Sequence, residues 1–155
     1  MDLRSKVVNQ NQVRNLGFWM HYLGFASKGF AQRNKDDKPI YVFPDPTEAI
    51  TKILPSIFTS KNKLQVEDFQ RLLGERIPVL EGGDVREIIE NKTKDENRRG
   101  KIYFSKSTSL ALERLILRGL IKIDSASDHK IHWYLDLGKD QHKRVSIIEY
   151  KGINA

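Results

Sequence analysis

The chain has 155 residues and a formal net charge of +7, with 39% hydrophobic and 30% charged residues. That mix allows one compact domain or two very small ones, and the absence of cysteine excludes zinc ribbons, zinc fingers, thiolate nucleophiles and disulfide frameworks. No signal-peptide segment and no run of about 18 apolar residues is present, so the expectation is a cytoplasmic protein with no membrane partner.

Residues 8–23 carry Val13, Leu16, Trp19, Met20 and Leu23 at the spacing of one helical face, with Gly24 as the stop. Arg14, Phe18, His21 and Tyr22 fall on the opposite face. Residues 28–33 and 39–43 flank a polar run and predict a hairpin, which Pro44-Asp45-Pro46 ends. Asp45 or Thr47 then caps a second helix through Phe58, which Pro55 bends or shortens. Residues 61–63 read as a loop. A third helix over residues 66–76 points Phe69, Leu72 and Leu73 inward. Gly82-Gly83 marks a turn, and residues 84–92 form a fourth helix carrying Val85, Ile88 and Ile89. Residues 93–101 read as a surface loop.

The firmest expectation concerns residues 105–137: one helix running straight into a β-hairpin. Ser105 caps the helix, Leu112, Leu115 and Ile116 face the core, and Gly119 turns the chain. Residues 120–124 and 130–137 are the expected hairpin arms, with residues 144–150 as a possible edge strand. Helix followed by basic hairpin thus occurs once near each end. The fold expected is α+β and helix-rich, built of tandem, partly degenerate winged-helix modules. Residues 1–44 form a partial module, and residues 45–155 a helical segment plus a C-terminal module, together one compact unit. The first helix lacks the two helices that normally support a recognition helix. Either the chain is therefore the C-terminal part of something longer or another polypeptide packs there; otherwise the Trp19 and Met20 face needs cover from the central helices.

Charge is segregated. Residues 1–44 hold seven basic and three acidic residues, residues 45–104 eleven of each, and residues 105–155 nine and six. Basic segments flanking a neutral middle suggest a surface that displaces counterions from a polyanion. Asn11, Gln12 and Arg14 can meet base edges or phosphates, and Lys28, Arg33, Lys35 and Lys38 follow on the first hairpin. In the C-terminal unit Lys106 opens the helix, while Lys122 and Lys130 lie on the expected wing. However, Leu110 and Leu117 fall opposite the core face, with Arg114 beside them. A groove-reading helix should be polar there, so this face is expected to be covered by another part of the chain or by a partner, and the N-terminal unit becomes the better DNA-facing candidate.

No catalytic arrangement emerges. His21, His129, His132 and His142 form no ligand pair, Gly82-Gly83 lacks a phosphate-loop pattern, and no nucleophile elbow exists. Neither a metal nor a cofactor is expected, and the chain is read as not an enzyme.

Three stretches carry a resemblance: residues 44–58 around Pro44, Asp45, Pro46 and Thr47; residues 77–89 around Pro78, Leu80, Gly82 and Gly83; and residues 109–128 with Ser109, Leu112, Leu115, Gly119, Ser127 and Asp128. With residues 18–25 upstream, they resemble the C-terminal region of the DpdG-type component of bacterial clusters that modify DNA with 7-deazaguanine derivatives and restrict unmodified DNA. The resemblance spans residues 18–145, rests on turns, caps and core positions, and implies no catalytic residues. His129 stands where the family pattern has a small apolar residue.

The resulting expectation is a non-catalytic, double-stranded-DNA-binding subunit of a restriction or anti-phage assembly, with the other subunits or a second copy as partners. The alternative is a protein–protein adaptor docking through Leu110, Arg114 and Leu117. A transcriptional regulator is the weaker alternative.

Overall fold

The computed structural model describes residues 10–30, 40–93, 102–125, 133–138 and 141–152. These form a mixed α+β fold with five helices and several small sheets among the described residues.

Helix α1 (Gln10–Tyr22) ends at Gly24, whose φ of 82° suits a residue without Cβ. Strands β1 (Ala26–Phe30) and β2 (Ile40–Pro44) then pair antiparallel, as the hairpin pattern predicts. Among the described residues the central helices do not cover Trp19. Val13, Leu16, Phe18, Trp19, Tyr22 and Leu23 are all more than half exposed, and Met20 is only half-buried. Close approach to the hairpin instead involves Gly17, where an added Cβ would lie 3.3 Å from the Val42 side chain. A narrow glycine contact buries little of the apolar side of this helix.

Helix α2 (Thr47–Ile57) follows directly and continues through Pro55. The missing proline N–H falls in the last turn, so the helix is not shortened before it. Asp45 accepts from the Thr47 backbone N–H at 3.2 Å and from its hydroxyl, satisfying one first-turn donor. The Gly24 carbonyl accepts from Ala49 N–H at 3.2 Å, so the N-terminal unit completes the start of α2. Ala49, Ile50, Leu54 and Ile57 enter the core.

Helix α3 (Val66–Arg76) buries Phe69 and Leu73, with Leu72 packed at the edge of the core. The segment before it is not wholly loop: β3 (Lys63–Gln65) pairs antiparallel with β8 (Ile147–Tyr150). Helix α4 (Asp84–Thr93) leaves Val85, Ile88 and Ile89 exposed. After β4 (Tyr103–Phe104), α5 (Lys106–Leu117) starts with the Ser105 hydroxyl accepting from Thr108 N–H at 3.4 Å. It ends in paired capping bonds, Leu120 N–H to Leu115 O at 3.0 Å and Gly119 N–H to Ile116 O at 2.9 Å, with Gly119 at φ 72°.

The expected hairpin after α5 is overturned. Strand β5 (Ile121–Asp124) pairs with β8, whereas β6 (Trp133–Asp136) pairs antiparallel with β7 (His142–Val145) and parallel with β4. Nor is the last segment an edge strand: β8 lies between β3 and β5. The reason is burial. Ile148 is fully buried between Leu64 and Ile123, so β8 gains a partner on each side, while Trp133 and Leu135 are buried in the other sheet. The chain changes sheets at Ser146, whose N–H donates to Asp124 O at 3.0 Å and whose carbonyl accepts from Val66 N–H at 2.9 Å.

Candidate nucleic-acid interface

Of the residues singled out from sequence, Arg33, Lys35, Lys38 and Lys130 lie outside the described residues. Asn11, Gln12 and Arg14 occupy the exposed first turns of α1, and Lys28 is exposed on β1 opposite Val42. Neither Arg14 nor Lys28 forms an ion pair among the described residues. Between Leu3 and Lys35 the sequence has six Lys or Arg and no Asp or Glu. The acid-free character of α1 and β1 is therefore compositional as well as geometric.

Asp45 ties this unit to the rest. Its carboxylate accepts from Ser27, Thr47 and Arg114. Burial pushes the carboxyl pKa up, but hydrogen bonds from Ser27 and Thr47 and the charge of Arg114 together outweigh it and hold it below the ordinary 3.8. Arg114 also lies 6.0 Å from the centre of the Phe43 ring. The hairpin thus rests on α5, and Pro44 meets Ser105, Lys106, Ser107 and Leu110 in a shallow depression at the start of that helix.

The expected cover of the Leu110–Leu117 face is supplied only in part, and from within the chain. Arg114 is engaged by Asp45, Leu110 borders Pro44, and Leu117 remains 83% exposed. Lys106 is exposed at the mouth of the depression. Lys122 is placed differently. It faces Glu149 in register and its ammonium lies 2.9 Å from Asp124. The Asp124 hydrogen bond, with the charges of Asp124 and Glu149, holds its pKa above 10.5. Acidic neighbours make its surroundings the least suited to a phosphate among the described cations of the group.

A second carboxylate hub missed by the sequence reading is Glu81. It accepts from Ser105 N–H at 2.6 Å and from the Thr108 hydroxyl at 2.7 Å, and lies 3.2 Å from Arg86. Its only local signals were its position beside Gly82-Gly83 and Arg86 five residues on; its hydrogen-bond partners Ser105 and Thr108 stand more than twenty residues away. No group of three His, Asp or Glu suited to a metal occurs among the described residues. No helix there is long and apolar enough to cross a membrane.

A family model described as DpdG-like matches residues 1–129. The chain belongs to the DpdG-like family. The match begins ahead of the stretches that carried the resemblance and stops before β6, so it takes in α1 to β5 of the DpdG-like chain. Family membership supports a role in the multi-protein 7-deazaguanine modification and defence clusters. No curated protein and no solved structure matches it.

Proposed function

We propose that this chain is a non-catalytic, sequence-tolerant DNA-binding subunit of such an assembly. The observation that carries the reading is the acid-free surface of α1 and β1. Arg14 and Lys28 are exposed there, while Asp45, the described acid nearest to them in sequence, is buried and engaged by Arg114. Phosphates contribute most of the affinity of such binding, and Arg33, Lys35, Lys38, Lys106 and Lys130 extend the candidate set.

A winged-helix reading of residues 45–155 is supported by topology. Three helices and three strands follow in the order α2, β3, α3, α5, β5, β8, and the antiparallel sheet runs β3-β8-β5. Helix α4 precedes the third helix of the set as an insertion, and β6 and β7 occupy the connection where a wing lies. Residues 1–44 are the smaller part, a helix plus hairpin. The non-catalytic reading is supported by Asp45 and Glu81, both of which are spent on structural hydrogen bonds.

Duplex-DNA binding measured against salt tests the reading. For about eight phosphate contacts the log–log slope is on the order of −5 to −7. Arg14→Glu with Lys28→Glu is expected to flatten it by about two. A flat wild-type slope, or cleavage of the duplex in the presence of magnesium, sinks the proposal in its DNA-binding or non-catalytic half respectively.

The adaptor reading keeps one specific support, the 83% exposure of Leu117 on a helix otherwise well packed. Leu117→Glu is the informative variant, because Arg114 is needed by Asp45. Unchanged co-purification of partner subunits with that variant would count against docking there.

A further inference from the structure

We infer that the outer face of the β4–β6–β7 sheet is a stacking site for an unpaired nucleobase, with Arg144 taking an adjoining phosphate. The inference rests on the nucleic-acid reading above but uses a different surface. Alternation along β6 buries Trp133 and Leu135 and leaves Tyr134 and Asp136 half-exposed on the other face. Register places Tyr103 and Arg144 on either side of Tyr134, and His142 opposite Asp136. Four of these five side chains are aromatic or basic.

The rings already form a cluster. Tyr103 and Tyr134 stack with centroids 5.2 Å apart and planes 26° from parallel, and His142 meets Tyr103 edge-on at 5.4 Å. Beneath them Trp133 packs on Phe104 at 5.0 Å, so the platform has a rigid floor. Partly exposed tyrosines on a sheet face are the arrangement that lets a base add a further ring to the stack.

Arg144 supplies the second, independent observation. Its Nε is buried and finds no hydrogen-bond partner among the described residues. Buried donors are seldom left without an acceptor, so this guanidinium is not neutralised within the described structure. The half-exposed Arg144 side chain beside aromatic rings keeps its terminal nitrogens for a phosphate oxygen. The neighbouring Lys143 is drawn to Glu113 at 2.7 Å, which leaves Arg144 as the cation of this face among the described residues. Asp136, whose carboxylate accepts from Gly138 N–H at 3.0 Å, is the acid on the same face among the described residues. It confines the phosphate to the Arg144 side and leaves the Asp136 side to a base edge that donates hydrogens.

The occupant is therefore single-stranded nucleic acid rather than a duplex, whose bases are already stacked on each other. The test uses the full chain and a labelled single-stranded DNA of about 12 nucleotides, a span within the range of known single-strand sites. Tyr134→Val keeps strand propensity and removes the ring, and Arg144→Gln removes the charge. Each is expected to weaken single-strand binding by about tenfold, while the salt slope for a blunt duplex stays that of the parent. Tyr134→Phe, which keeps the ring, should bind within about twofold. Equal single-strand affinity in parent, Tyr134→Val and Arg144→Gln overturns the inference, as does absence of single-strand binding by the parent. Arg14→Glu with Lys28→Glu should do the reverse, flattening the duplex slope and sparing the stacking contribution. The two readings therefore fail separately.

Discussion

Arg114, in the last turn of α5, donates to the buried carboxylate of Asp45, 69 residues earlier at the end of the first hairpin. This contact joins the basic N-terminal unit to the helical core, and Asp45 simultaneously organises Ser27 and the first turn of α2.

Removing one partner of a buried pair leaves the other uncompensated. Asp45 is only 3% exposed and Arg114 34%, so the cost falls mainly on the Arg114 side of the cycle. Arg114→Met is expected to destabilise the chain by about 2–3 kcal/mol in urea unfolding, below the fully buried range because Arg114 reaches water. Adding Asp45→Ala should cost much less than the sum of the two single changes. Strict additivity would mean that the ion pair contributes nothing.

The same carboxylate gives a pH signature. Burial alone would raise its pKa, but the Ser27 and Thr47 hydrogen bonds and Arg114 hold it below 3.8. A depressed carboxyl contributes stability that is complete above the unfolded-state pKa, roughly pH 4, and is lost as pH falls through the folded value. The stability gap between the parent and Asp45→Asn should therefore be widest near neutrality and shrink in acid. A gap that widens in acid would contradict the assignment.

Gly74 looks like a poor helix residue that alanine should improve by about 1 kcal/mol. The tertiary contact reverses the sign. A Cβ there would stand 2.2 Å from the Gly82 carbonyl carbon and 2.4 Å from Gly83 N, both backbone atoms. Gly74→Ala is expected to destabilise by roughly 2–4 kcal/mol, measured by denaturant midpoint. A stabilised variant would show that the 82–83 turn yields easily.

The two tryptophans report on opposite environments. Trp19 is 56% exposed among Phe18 and Tyr22, and Trp133 is 4% exposed on the buried face of the β4–β6–β7 sheet. Iodide should quench most of the accessible emission of the parent and little of Trp19→Phe, whose remaining emission should be blue-shifted. Protection of Trp19 that grows with protein concentration would indicate that α1 pairs with a second copy.

Local chemistry made much of the fold legible. The α3 limits, the Ser105 cap, the Gly119 ending and the first hairpin all follow from spacing, turn residues and capping groups close in sequence. The strand partners of β5 and β6 did not. Both strands follow one helix and face a short polar run, so a hairpin was the local expectation. Ile148 and Trp133 were buried in different sheets instead, and burial outweighed proximity.

The candidate site divides in the same way. Acid depletion from Leu3 to Lys35 is written in the composition, and so is the exposure of Arg14 and Lys28 in any fold that leaves them outside. Long-range placement assigned Arg114 to Asp45, surrounded Lys122 with Asp124 and Glu149, and gathered Tyr103, Tyr134, His142 and Arg144 on one face. By itself, then, the sequence determined the helices, their ends and the distribution of charge, because each depends on residues a few positions apart. Only the tertiary structure decided which cations remain available and which rings meet, because those depend on partners that pairing and burial bring from distant parts of the chain.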